Sequence, residues 1–295
     1  MTVHRWGRRA LVCAATVLVA GIAVCATPAP TGSDTARSIK YVALGDSAAA
    51  APLVPDPADP PGCFKSTNDY PAVLARRIGA TRFTDVTCSG ATTADITDRP
   101  QQTSGGAVPR QIDAVSVDTE LVTITIGGND VGLASTASRC SRRSLAQPPC
   151  FDTLATPGAD RFTAAIDEQI PLWEAMIEAV RARAPQARIV LVGYGTYIRP
   201  GGCFGQQPIN PKDADYFQAK VGEINDRQRE LAVRKNIDFF DTRPLSVGHD
   251  MCAPPDDRWF EGFELAHYAA PLHPNALGAG AVGNALAEII DPDSQ

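Results

Sequence analysis

The chain is 295 residues long, with 27 Lys+Arg against 33 Asp+Glu, a formal charge of −6, and 44% hydrophobic residues. That apolar share excludes an intrinsically disordered chain. No basic excess exists to replace phosphate counterions, which argues against a nucleic-acid binder, and the length fits one large α/β domain or two small ones.

The first 26 residues differ from the rest. Arg5, Arg8 and Arg9 form a basic head, and Ala10 to Ala26 is an uncharged apolar run of 17 residues. A basic n-region followed by an apolar h-region reads as a secretory signal peptide over 1–26. Val24 and Ala26 stand at −3 and −1 of a cut before Thr27. The competing reading is an uncleaved membrane anchor, for which the run is short. Residues 27–38, rich in Thr, Pro, Ala and Ser, read as a flexible leader, and 39–291 as one domain.

Beyond the leader, short β-rich runs alternate with helical patterns. Ile39–Leu44 reads as a buried strand, Asp69 to Ile78 as a helix, Phe83–Thr87 as a strand and Leu121–Ile126 as the most apolar strand. Arg161 to Arg183 predicts a long amphipathic helix with Ile166, Ile170, Trp173, Ile177 and Val180 on one stripe. Ile189–Val192 follows as a strand, Ala214–Lys235 as a helix and Ile237–Phe240 as a strand. Pro274 to Ile290 closes the pattern as a helix with Pro in its first turn. Such alternation predicts a five-stranded parallel sheet covered on both faces, a flavodoxin-like three-layer α/β/α sandwich. Pro52–Thr67 and Ala134–Pro157 stand outside the pattern as long cysteine-containing loops.

Setting the signal aside removes three arginines and no acid, leaving 24 Lys+Arg against 33 Asp+Glu, a formal −9. It also removes Cys13 and Cys25. Cys63, Cys88, Cys140, Cys150, Cys203 and Cys252 remain, and an even number in an exported chain favours disulfides. Six cysteines allow 15 connectivities, among which the residues themselves do not choose. Zinc would need CxxC pairs or Cys/His clusters, which are missing, so no metal and no cofactor is expected.

Four motifs fall at strand ends or helix starts. Gly45-Asp46-Ser47 follows the first strand, Cys88-Ser89-Gly90-Ala91 the second and Gly127-Gly128-Asn129-Asp130 the third; His273-Pro274-Asn275 opens the last helix. In a parallel sheet the strand ends share one rim, so these motifs can meet. Ser47 is a weak nucleophile unless a base accepts its proton, and His273 is the candidate base. Acyl transfer also needs donors aimed at a developing oxyanion. The Ser47 and Gly90 N–H groups and the Asn129 amide supply three. Asp46 is expected to brace the nucleophile turn. Asp256 or Asp257 is a minority candidate for a displaced triad acid, and Trp259 and Phe260 are candidate pocket residues.

With these motifs the chain resembles the SGNH, or GDSL, hydrolases, most closely the secreted actinobacterial lipases and esterases, from about Lys40 to Ala287. The resemblance implies Ser47 as nucleophile, His273 as base and an oxyanion hole from Ser47, Gly90 and Asn129. It also implies disulfides Cys63–Cys88, Cys140–Cys150 and Cys203–Cys252. Many members carry an Asp three residues before the histidine, where this chain has Ala270, and the Ala270 carbonyl becomes the candidate to orient the imidazole. Ala48 to Ala51 replace the usual Ser and Gly residues and favour helix after Ser47. The expectation is a secreted, monomeric serine esterase or lipase acting on small-molecule or lipid esters, with transient contact at a lipid interface. The alternatives are an acyltransferase or carbohydrate deacetylase acting on envelope glycans, or a catalytically silent envelope-binding protein.

Overall fold

The computed structural model describes residues 39–291. The signal and leader readings, 1–26 and 27–38, lie outside the described residues. Among those described, no helix is long and apolar enough to cross a membrane.

Strand β1 (Lys40–Gly45) runs into the one-turn helix α1 (Ser47–Ala50), followed by α2 (Tyr70–Arg77) and β2 (Arg82–Asp85). Helix α3 (Thr93–Thr97) and the hairpin β3 (Gln101–Thr103)–β4 (Gly106–Val108) lead to β5 (Leu121–Thr125). Next come α4 (Leu133–Arg139), α5 (Phe151–Leu154) and a two-residue ladder of β6 (Ala155–Thr156) with β7 (Ala159–Asp160). The second half holds α6 (Arg161–Arg183), β8 (Arg188–Val192), α7 (Pro211–Lys235), β9 (Asp238–Phe240), α8 (Thr242–Leu245) and α9 (Ala276–Ile290).

The main sheet has the order β2-β1-β5-β8-β9, and every neighbouring pair is parallel. This is the flavodoxin-like order, whose ligands bind beyond the carboxyl ends of the strands. Side chains of β1 alternate between two cores. Val42 and Leu44 join Trp173, Ile177 and Ile224 on one face; Tyr41 and Ala43 join Leu74, Val282 and Leu286 on the other. Both faces are thus covered, which is why the central strands read as unbroken apolar runs. On the second face α9 lies so close to α2 that a Cβ on Gly283 would sit 2.6 Å from Val73 Cβ.

The long amphipathic helix spans the expected residues, capped by the Asp160 carboxylate, with Ile166, Trp173, Ile177 and Val180 buried. Three outcomes differ from expectation. The last helix starts at Ala276, because the Asn275 side chain accepts from Leu277 and Gly278 N–H and so caps it; Pro274 precedes the cap. The segment 134–157 is not an open loop but carries α4, α5 and β6. A capping box at Thr92 and Asp95 starts α3, which the strand–helix alternation passed over.

The three disulfides pair as Cys63–Cys88, Cys140–Cys150 and Cys203–Cys252. Each staples a loop at the carboxyl rim of the sheet, where the sequence motifs converge.

Candidate active site

The turn that carries Ser47 is built by its neighbours. A Cβ at Gly45 would lie 2.7 Å from the Thr125 carbonyl oxygen, so only glycine lets β1 pass β5 this closely before the turn. Asp46 caps α1 through a 2.8 Å bond from the Ala48 N–H, leaving Ser47 as the first helical residue. The alanines behind it continue that single turn, and Ala49, Ala50 and Ala51 are fully buried.

Ser47 Oγ lies 2.7 Å from His273 Nε2, although the two residues are 226 positions apart. The opposite ring nitrogen, Nδ1, lies 2.7 Å from the carbonyl oxygen of Pro271. A carbonyl can only accept, so Nδ1 carries the proton and Nε2 is left to accept from the serine hydroxyl. The Ala270 expectation is therefore corrected: the carbonyl facing the imidazole is that of Pro271. Leu272 takes the left-handed conformation (φ 64°), folding the chain back so that the residue two before the histidine presents its oxygen. Ala270 instead donates its N–H to Pro52 O at 2.8 Å. Burial of the ring lowers the imidazole pKa below its ordinary 6.5, against the opposing pull of the Pro271 carbonyl.

The other candidate donors stand on adjoining loops. The Ser47 and Gly90 N–H groups have no hydrogen-bond acceptor among the described residues. Asn129 gives one amide hydrogen to the Ala91 carbonyl at 3.0 Å, which leaves the second for the cavity it lines. These loops are tied together by side chains. Asp130 accepts from both the N–H and the hydroxyl of Thr93, at 2.8 and 2.9 Å. Tyr194 accepts from Gly128 N–H at 2.8 Å and donates to Asp46 at 2.5 Å. Gln101, on the β3–β4 hairpin, donates to the Ser89 carbonyl at 2.8 Å and so holds the turn that presents Gly90. Burial raises the Asp46 pKa to about 7, despite the bonds from Tyr194 and Ala48.

Beside Ser47 and His273 opens a cavity of about 100 Å³, walled largely by apolar side chains, among them Leu133, Ala137, Ile198, Phe217, Val221 and Met251. Cys140–Cys150 staples the end of α4, which carries Leu133 and Ala137, and Cys203–Cys252 staples the stretch beside Met251. Cys63–Cys88 sits directly before Ser89-Gly90, and Ser89 N–H bonds the Cys63 carbonyl at 3.0 Å.

Trp259 and Phe260 do not line this cavity. Trp259 stacks on His249 with centroids 3.8 Å apart, and Phe260 packs on Tyr197. Asp256 and Asp257 are exposed and bond no histidine with their carboxylates, so neither replaces the triad acid. Among the described residues no group of three or more His, Cys, Asp or Glu side chains is arranged to hold a metal ion. Tyr194 and Gln101 lie outside the sequence motifs because each acts through a contact distant in the chain, and Thr93 closes the motif after the second strand without its partner being visible. Asp130 was visible in its motif but without a partner.

Comparison with known proteins agrees with this architecture. Residues 43–281 match the GDSL-like lipase/acylhydrolase family. The chain is 39% identical over 252 residues to Lipase 2 of Streptomyces coelicolor, covering 82% of each. It is 29% identical to a lipase of Streptomyces rimosus over 93% of this chain and 95% of that one. Its structure is similar to the crystal structure of the extracellular lipase from S. rimosus (TM-score 0.67, 28% identity, covering 84% of this chain and 99% of that one). It also shares its fold with phospholipase A1 of Streptomyces albidoflavus (TM-score 0.68, 23% identity, covering 86% and 99%). A strand-end serine on a histidine, with a family match spanning most of the described domain, leads to one assignment: the chain belongs to the GDSL-like lipase/acylhydrolase family and is a GDSL-type carboxylic ester hydrolase.

Proposed function

We propose that the protein is a secreted serine esterase or lipase that cleaves acyl esters through an acyl-enzyme on Ser47. The observation that carries this reading is the 2.7 Å contact between Ser47 Oγ and His273 Nε2, with the ring's tautomer set by the Pro271 carbonyl. In the first half-reaction Ser47 Oγ attacks the ester carbonyl carbon while its proton passes to His273 Nε2. The carbonyl oxygen gains negative charge, which the Ser47 and Gly90 N–H groups and the free Asn129 amide hydrogen stabilise. Collapse expels the alcohol, protonated by the imidazolium. Water, deprotonated by the same imidazole, then releases the acid.

A carbonyl orients His273 but brings no negative charge to the imidazolium, which separates this dyad from a Ser-His-Asp triad. The apolar cavity beside Ser47 suits the acyl part of the substrate, with the alcohol leaving toward solvent. Leu53 and Tyr268, 59% and 80% exposed, flank the Pro52–Ala270 backbone bond in the stretch leading to His273. They suit passing contact with a lipid surface. Three disulfides and the extracellular relative from S. rimosus support action outside the cell, where such bonds persist.

The test is Ser47→Ala on short p-nitrophenyl esters, with a serine-reactive phosphonate as label. Turnover is expected to fall at least about 10³-fold, by analogy with loss of a triad member, with the phosphonate on Ser47 alone. Full activity of the variant, or label on another residue, rejects the reading. Product analysis with alcohol or sugar acceptors separates hydrolysis from acyl transfer.

A further inference from the structure

Glu261 is fully buried, yet it lies in an irregular stretch with no strand or helix of its own. Its carboxylate collects donors from three directions. Oε1 accepts from Asn275 Nδ2 at 2.8 Å and from the His267 ring at 2.8 Å; Oε2 accepts from Ala266 N–H at 2.7 Å. The Arg258 guanidinium stands 3.6 Å away. Burial alone would raise its pKa. The bonds from Ala266, Asn275 and His267, with the Arg258 charge, outweigh that and hold the carboxyl below its ordinary value, so it is ionised at neutral pH.

The backbone of the same residue grips the catalytic segment on both sides of one peptide. Glu261 N–H donates to the His273 carbonyl at 2.9 Å, and Leu272 N–H donates to the Glu261 carbonyl at 3.1 Å. Between them lies Leu272, whose left-handed conformation turns the Pro271 carbonyl toward the imidazole. A leucine in that region costs energy and persists only where its surroundings over-determine it. The clamp needs Glu261 fixed in place, and its buried side chain is what fixes it.

We infer that Glu261 is a positioning residue for the His273 imidazole: its anchored carboxylate holds the backbone clamp that keeps Leu272 left-handed and the Pro271 carbonyl on Nδ1. A carboxylate thus serves this dyad from behind, through the main chain, and touches neither substrate nor ring. The inference rests on the serine-hydrolase reading above. Glutamine at 261 keeps the size but turns an amide toward groups that are themselves donors, loosening the anchor.

The experiment compares wild type with Glu261→Gln, and with Glu261→Gln combined with Leu272→Gly, since glycine takes a positive φ without strain. It reads kcat and KM on a short p-nitrophenyl ester, the rate of phosphonate labelling at Ser47, and the low-field proton resonance of His273 Nδ1–H. Glu261→Gln is expected to lower kcat and the labelling rate about ten- to hundredfold, as for a small misplacement of a catalytic group. KM should stay within about twofold and the Nδ1–H resonance should move. Leu272→Gly should restore severalfold of the lost kcat. Unchanged kcat and an unmoved resonance overturn the inference, even if the thermal midpoint falls. If Glu261→Gln does not fold, His267→Ala removes one bond to Oε1 at a partly exposed position, and an unmoved resonance there overturns it equally. Failure of the wild type to label at Ser47 would instead reject the hydrolase reading on which it rests.

Discussion

The two halves of the candidate dyad are held in different ways. Ser47, Gly90 and Asn129 stand in the segments that leave the ends of β1, β2 and β5, three adjacent strands of one parallel sheet. Ladder bonds fix the roots of those segments, with β1 and β5 buried on both faces and β2 at the sheet edge, and side chains such as Asp130 and Tyr194 join their tips. His273 follows no strand. Its segment, from about 250 to 275, is held by scattered main-chain bonds, by Cys203–Cys252 and by buried side chains: Gln207, Glu261 and Asn275 each bond backbone groups of the loop. The sheet positions one half by secondary structure; the other half rests on isolated loop bonds and on buried polar side chains, where one missing partner leaves another unsatisfied.

Three measurements bear on this contrast. The largest effect is expected from Asn129→Ala, which removes one of the proposed oxyanion donors from a rooted loop. kcat should fall about 10²- to 10³-fold with the thermal midpoint nearly unchanged, because the strand end stays where it is. A midpoint that drops with the rate would show that the rooted loops depend on their tips after all.

Smaller is the effect of Tyr194→Phe, which cuts the link from Gly128 to Asp46 while the sheet keeps both loops in register. A fall in kcat of roughly tenfold is expected for loss of the bonds to Gly128 and Asp46. If Tyr194→Phe costs more than Glu261→Gln, the contrast between the two regions breaks. Smallest is a shift in the pH profile. His273 must be neutral to act as base, and its burial lowers its pKa, so it stays deprotonated to a lower pH than a free histidine. The acid limb of kcat/KM for wild type is therefore expected below pH 6.5; a limb at that value would mean that the ring is solvated, and one above it that the ring is paired with a negative charge.

How much of this was legible in the sequence follows the same division. The rooted half could be read: Gly45-Asp46-Ser47, Ser89-Gly90 and Gly127-Gly128-Asn129 each follow a strand whose apolar run announces it, and the strand ends of a parallel sheet must share a rim. The bond between Ser47 and His273 then required only that α9 pack on the same face as α2. The unrooted half was less readable. The Ala270 carbonyl was the natural substitute for an absent Asp, but the left-handed turn at Leu272 hands that place to Pro271. Leucine gives no sign in the sequence that it will take such a conformation, because the clamp that imposes it comes from Glu261. Helix α4 was read as loop because 134–157 is rich in Ser, Thr and Pro, while its buried side, Leu133 and Ala137, is too short a stripe to register as helical periodicity.

The separation of 226 positions between Ser47 and His273 carries one more consequence. On the proposed mechanism, Ser47 stands at the end of the first strand and its base on the stretch before the last helix, so activity needs both segments in place. On that reading, a molecule lacking the contact holds a serine with no proton acceptor. Ester turnover would therefore report only molecules in which these two distant segments have met.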